Sequence, residues 1–176
     1  IDKLDKTIRL TLWKFQPKSR TLLDFVNFKD LVYATLTMAT IDSLNGIENI
    51  QKLKERDLRN IKTLKSFFTD PTKSKLQLQE LNISCCKNLN LDTLPHMDSL
   101  KILNLNQMGK IETIEPLINK FPNLEIIGFT ESELIDGDIE YLKRFTKLKK
   151  ILIDNKKHYS SKEKELNNYL QTKSEV

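Results

Sequence analysis

Glycine and proline are scarce in this chain, with 4 and 5 among 176 residues, which excludes a turn-rich, low-complexity polymer. There are two cysteines, Cys85 and Cys86, and they are adjacent. Neighbouring cysteines rarely bridge each other and no third is present, so a disulfide framework is excluded and a reducing compartment, cytoplasm or nucleus, is expected. The two histidines, His96 and His158, stand at metal-ligand spacing neither with the cysteines nor with each other. No glycine-rich phosphate loop occurs, and no serine lies in a G-x-S-x-G frame. The expectation is a non-enzyme with no cofactor, no metal and no small-molecule substrate. No apolar run approaches the roughly 18 residues that cross a bilayer, and no charged-then-apolar leader opens the chain, so no membrane partner is expected. The first residue is Ile1 rather than Met, from which a leader, a tag or a longer N-terminal region is expected to precede it.

What the chain does have is one pattern written four times. Leu78-x-x-Leu81-x-Ile83 returns as Leu100-x-x-Leu103-x-Leu105, as Leu124-x-x-Ile127-x-Phe129 and as Leu148-x-x-Ile151-x-Ile153. The steps are 22, 24 and 24 residues. Residues four and six of the pattern lie on the same side of a short strand, because side chains alternate across it. A single repeat cannot bury that side, but stacked neighbours share one core under a parallel sheet. The rest of each repeat must then return along the opposite face. Ile111, Ile114, Leu117 and Phe121 mark the return in one repeat, and Ile135, Ile139, Leu142 and Phe145 in the next, at the spacings of a helix face or of 3₁₀ turns.

The pattern resembles the leucine-rich-repeat family. That resemblance implies an α/β solenoid with a short parallel sheet on the concave face and helices or 3₁₀ turns on the convex face. It also implies work by binding other proteins. Extracellular members usually close their ends with paired cysteines, and this chain has none. Leu78-x-x-Leu81-x-Ile83-x-x-Cys86-x-x-Leu89 resembles the cysteine-containing repeats of F-box proteins, and Leu22 to Val32 loosely resembles the middle of an F-box. Cys86 is read as structural, a small side chain turned inward beneath its strand to satisfy loop backbone; Met108, Ser132 and Lys156 occupy the same slot later. Ile41-x-x-Leu44-x-Gly46-Ile47-x-x-Ile50 resembles the short repeats of protein phosphatase 1 regulatory subunits.

Outside the strong repeats, three regions are expected. Residues 1–30 form an N-terminal repeat or cap: Ile8, Leu10 and Leu12 alternate as a strand, Trp13 and Phe15 follow, and Leu22 to Phe28 read as an amphipathic helix, all of it core. Residues 31–156 carry the repeats, about six in all. Leu53, Arg56 and Leu58 put an arginine in an apolar slot, from which either a shifted strand or an irregular repeat is expected. Residues 59–75 read as a helix with Ile61, Leu64 and Phe67 or Phe68 on one face, ended by Asp70-Pro71 and a polar loop at 72–75. Residues 157–176 read as a C-terminal capping helix and frayed tail, N-capped by Ser160-Ser161, with Leu166, Tyr169 and Leu170 inward.

The working surface then follows from the residues between the core positions, which face the concave side. Six successive frames place Tyr33, Glu55, Glu80, Ile102, Ile126 and Lys150 in one row. Thr35, Asp57, Asn82, Asn104, Gly128 and Leu152 fill the second, and Thr37, Arg59, Ser84, Asn106, Thr130 and Asp154 the third. A protein partner is expected on Glu80, Asn82, Ser84, Ile102, Asn104, Asn106, Ile126, Thr130, Lys150, Leu152 and Asp154, anchored by the apolar diagonal Ile102, Ile126 and Leu152. Net charge is +5, and the basic excess gathers late, at Lys143, Arg144, Lys147, Lys149, Lys156 and Lys157. Such an end suits phosphates or an acidic protein. Nucleic acid is the less favoured partner, because few aromatic side chains are interleaved for base stacking.

Overall fold

Apolar residues at alternate positions make strands here because the next repeat supplies an identical edge. In a computed structural model, which describes residues 6–70 and 76–174, seven such segments pair in parallel. They are β1 (Arg9–Trp13), β2 (Tyr33–Thr37), β3 (Glu55–Arg59), β4 (Glu80–Ser84), β5 (Ile102–Asn106), β7 (Ile126–Gly128) and β9 (Lys150–Leu152). The seven strands lie across the sheet in chain order, each joined to the next by a return segment along the convex side. Two further short strands, β6 (Gly109–Ile111) and β8 (Ser132–Leu134), pair with each other on the return path. The return path is otherwise made of turns, short 3₁₀ segments and the single-turn helix α1 (Leu117–Lys120). A terminal helix, α2 (Glu163–Ser174), follows the last strand.

Register is uniform across the sheet. Tyr33, Glu55, Glu80, Ile102, Ile126 and Lys150 are successive Cα partners, as are Thr35, Asp57, Asn82, Asn104, Gly128 and Leu152, while the third row is paired as far as Asn106 and its Thr130 and Asp154 lie beyond the ends of β7 and β9. The inward row runs Leu10, Ala34, Arg56, Leu81, Leu103, Ile127 and Ile151. With Leu36, Leu58, Ile83, Leu105 and Phe129 beside it, this row builds one continuous core. Ile41, Leu44, Ile47, Ile50, Ile111, Ile114, Leu117 and Phe121 close that core from the convex side.

The first six strands of the sheet are each followed by a left-handed residue. Lys14, Met38, Asn60, Cys85, Gln107 and Glu131 all have φ between 52 and 56°. None is glycine, and the left-handed region costs an L-residue roughly 1–2 kcal/mol. The conformation persists because it aims each N–H at the neighbouring repeat: Lys14 donates to Thr37 O, Met38 to Arg59 O, Asn60 to Ser84 O, Cys85 to Asn106 O and Gln107 to Thr130 O, at 2.8–3.1 Å. The last member, Glu131, finds no further backbone and donates instead to the Asp154 carboxylate at 2.6 Å.

Several expectations are corrected. The N-terminal region, expected as a repeat or a cap with a strand at Ile8 to Leu12, supplies a seventh strand, since β1 pairs with β2 in register. Its apolar residues are not all core: Ile8, Trp13 and Leu23 are more than half exposed, and Leu22 to Phe28 contains a 3₁₀ segment (Leu23–Asn27) rather than an amphipathic α-helix. No helix forms over 59–70, where Ile61, Leu64, Phe67 and Phe68 are buried on a turn-rich return. Pro71 and the polar loop at 72–75 lie outside the described residues. Strand β3 is not shifted, so Arg56 enters the core. Ile135 is 45% exposed, and Leu134 takes the inward place because β8 turns alternate residues to the core. Helix α2 starts at Glu163, just after the expected N-cap pair Ser160-Ser161, and Tyr169, expected to face inward, sits on its outer face beneath Lys143. Its first turn is not capped by Ser160 or Ser161. Glu165 accepts the Lys162 N–H at 2.9 Å and Asn155 accepts that of Glu163 at 2.8 Å. Of the frayed tail, 173 and 174 belong to α2, and 175–176 lie outside the described residues.

The C-terminal edge is closed by side chains that imitate a further strand. Asn167 of α2 accepts the Ile151 N–H at 2.8 Å and donates to the Ile151 carbonyl at 2.9 Å. On the return side, Tyr159 Oη accepts the Leu134 N–H and His158 Nε2 donates to the Leu134 carbonyl, both at 2.9 Å. Asn167→Ala removes two bonds from a half-buried backbone edge, and a loss of about 1–3 kcal/mol is expected. Amide exchange at Ile151 should accelerate in step with the fall in melting temperature. Unchanged exchange there would show that the edge is held by something else.

Candidate interaction surface

The concave face is a polar frame with apolar side chains set into it. Asn104 donates its amide to Asn82 at 2.7 Å, and Asn82 donates to Glu80 at 2.7 Å. One row on, the Asn106 carboxamide oxygen accepts from both the N–H and the hydroxyl of Thr130. The Asn104–Asn82 and Asn106–Thr130 bonds link neighbouring repeats, as does the backbone ladder, while Asn82–Glu80 lies within β4; together they fix side chains that would otherwise be mobile on an open sheet. Gly128 is part of the same arrangement. A Cβ there would stand 2.6 Å from the Asn104 carboxamide oxygen, so glycine leaves room for that side chain to lie flat.

Ile102 and Ile126 are direct partners across β5 and β7, and Leu152 stands one strand further on and two residues along. All three are half-buried. Ser84 is half-buried, Lys150 is exposed, and neither has a side-chain bond among the described residues. Asp154 is committed to closing the turn ladder at Glu131. The eleven residues nominated from the sequence therefore divide into an apolar set (Ile102, Ile126 and Leu152), a bonded polar set (Glu80, Asn82, Asn104, Asn106, Thr130 and Asp154), and Ser84 and Lys150, which belong to neither.

Cys86 is fully buried, and its thiol donates to the Ser84 carbonyl at 3.4 Å and reaches the Leu58 carbonyl at 3.9 Å. Burial pushes the thiol up to about 11. Ser132 takes the same slot two repeats later, donating to Leu105 O at 2.9 Å and accepting the Met108 N–H at 3.0 Å. Both residues satisfy loop backbone inside the solenoid. His96 bridges the Asn119 carbonyl and Asp98 at the surface, a turn role. Among the described residues no cluster of His, Cys, Asp or Glu could hold a metal ion. No helix there is long and apolar enough to cross a membrane.

The basic residues do not form one field. Lys143 pairs with Glu140, Arg144 with Glu115, and Lys149 with Glu125. Hydrogen bonds from Lys149 and Lys101 hold the Glu125 carboxyl below the usual range. Lys147 and Lys149 precede β9 while Lys156 and Lys157 follow it, at opposite ends of the strand.

A second part of the concave face was not singled out from the sequence. Arg9, Thr11, Tyr33, Thr35, Glu55, Asp57, Arg59 and Asn82, together with the inward-row residues Ala34 and Arg56, line a shallow depression of about 230 Å³. Arg9 stacks over the Tyr33 ring at 4.7 Å, and Arg59 bonds Asp57. Trp13, 65% exposed, belongs to the row of Thr37, Arg59 and Ser84 at the same end. The alternation of Leu10 and Leu12 already assigns Trp13 to that outward row, a signal that treating the whole N-terminal region as core obscured.

The stacked strands, the left-handed exits and the return path define a leucine-rich-repeat solenoid. A solved structure with this fold is the internalin InlF of Listeria monocytogenes str. 4b F2365, which superposes with a TM-score of 0.52 at 16% sequence identity. The match covers 84% of this chain and 44% of that one, so the chain spans less than half the length of the internalin. No protein-family model and no characterised protein matches the sequence.

Proposed function

We propose that this chain is a non-catalytic protein-interaction module, a scaffold or adaptor subunit of a larger complex, that offers its concave sheet to a protein partner. The observation that carries the reading is the accessible group Ile102, Ile126 and Leu152, held in a frame of laterally bonded Asn and Thr side chains. Apolar side chains on a preformed surface anchor protein interfaces because little conformational entropy is lost on docking. Free Cys85 and Cys86 support a reducing compartment, cytoplasm or nucleus. The Cys86 slot supports one narrower reading, substrate recognition in an F-box ubiquitin ligase, for which binding to the adaptor Skp is the test. Against it, Leu22 and Leu31 are buried in the solenoid core between β1 and β2.

The double substitution Ile102→Asp/Ile126→Asp places two carboxylates on the concave face without touching the core row. Pull-down with mass spectrometry should lose a defined set of proteins, while the melting temperature stays within a few degrees of the parent. Retention of every partner by a folded variant would remove the concave apolar group from consideration.

A further inference from the structure

We propose that the solenoid core binds a small monovalent anion of the chloride class, held by the guanidinium of Arg56 between β2, β3 and β4. Arg56 is the Cα partner of Ala34 on one side and Leu81 on the other, so its side chain enters the core at a position filled elsewhere by leucine or isoleucine. It is 1% exposed, and its Nε, Nη1 and Nη2 atoms all lack a hydrogen-bond partner among the described residues. A guanidinium carries five donors and no acceptor, and leaving them unmet in an apolar interior is strongly unfavourable.

The group is also unneutralised. Burial lowers it to about 9, which leaves it charged at neutral pH, and burial is the sole influence on it. The adjacent carboxylates do not serve. Glu55 and Asp57 flank Arg56 along the strand and therefore project to the concave face, where Asp57 is tied to Arg59. Water would satisfy donors but not charge, whereas a small anion does both. Size follows from the inward row: Ala34, the Cα partner of Arg56, is its one small residue and the neighbouring core side chains are buried and close-packed, so only an ion of one or a few atoms could be admitted beside the guanidinium. A second negative charge would leave the site over-compensated, so sulfate and phosphate do not fit the chemistry.

The test is thermal melting at constant ionic strength with chloride exchanged for gluconate, which is too large for the core. The wild-type midpoint should climb with the logarithm of chloride concentration, and bromide should substitute. Arg56→Met, which keeps length without charge, should melt at the same temperature in every anion. Arg59→Met, which removes a surface charge, should keep the wild-type chloride dependence. Crystals grown in bromide should show anomalous density within hydrogen-bond distance of Arg56. Equal wild-type midpoints in chloride and gluconate, or an Arg56→Met protein as chloride-dependent as the parent, would overturn the site. Bromide crystals with no density beside Arg56 would do the same.

Discussion

Arg56→Leu is expected to stabilise the protein by about 1–4 kcal/mol, the gain seen when buried charge gives way to well-packed apolar side chains. For a chain of this length each kcal/mol moves the melting midpoint by about 2–4 °C. Leucine at this position continues the inward row from Leu81 and Leu103, and it removes three unpartnered nitrogens from the core. The gain should be largest in chloride-free solution and smaller where an anion accompanies the guanidinium. Its pH dependence has a defined sign. The native-state value of about 9 lies well below the ordinary guanidinium range, so above pH 9 the unfolded chain binds the extra proton and the wild type gains stability as pH rises. The advantage of Arg56→Leu should therefore be level from pH 5 to 8 and shrink above 9. Urea titrations of both proteins at pH 7 and pH 10 measure this, and a less stable leucine variant would show that the charge is already compensated within the core.

That arginine also shows where the sequence was readable and where it was not. The strand rows were legible because side-chain period and repeat length are both written in the apolar residues, and every frame from Tyr33 to Lys150 falls in register. Arg56 was visible as an exception, but not its consequence. An inward charge suggests a shifted strand until five flanking pairings on each side are seen to hold the strand in place. The return path was less legible. Ile61, Leu64 and Phe67 have helical spacing, yet a convex segment closing a repeat in about 22 residues meets the core equally well through successive tight turns. The spacing reports which residues are inward, not how the backbone carries them. The left-handed exits were not legible at all. Lys, Met, Asn, Cys, Gln and Glu share no chemistry that favours positive φ, and the conformation is imposed by the hydrogen bond each N–H makes to the next repeat. On the concave face the rows were legible, but the lateral bonds that divide Asn82, Asn104 and Asn106 from Ile102 and Ile126 depend on rotamers that no spacing records.

Gly46 is the position where a one-atom change should do the most damage. It lies in the stretch Ile41 to Ile50, whose I-x-x-L-x-G pattern places glycine at the start of a 3₁₀ turn (Ile47–Asn49) on the convex side. Its φ is +103°, outside the range that L side chains adopt readily. A Cβ at this position would stand 2.4 Å from both the carbonyl carbon and the oxygen of Leu22, and 2.5 Å from Leu23 N. All three are backbone atoms of the preceding repeat, so no side-chain rotation relieves the contact. Leu22 is fully buried and its N–H donates to the carbonyl of Asn45, the residue before Gly46. Alanine would have to push two repeats apart at the point where they are bonded together. Backbone strain alone accounts for about 1–3 kcal/mol, and the separation of packed repeats adds to it, so Gly46→Ala should lose several kcal/mol or fail to fold. Because solenoid repeats are stabilised by their neighbours, the damage should be polar along the chain. Amide exchange should rise first in β1, β2 and the turn at Leu23–Asn27, while Leu103, Ile127 and Ile151 keep their protection. Uniform loss of protection from β1 to β9 would mean that the solenoid unfolds as one cooperative unit, and a variant as stable as the parent would show that the repeats are not in backbone contact at Gly46.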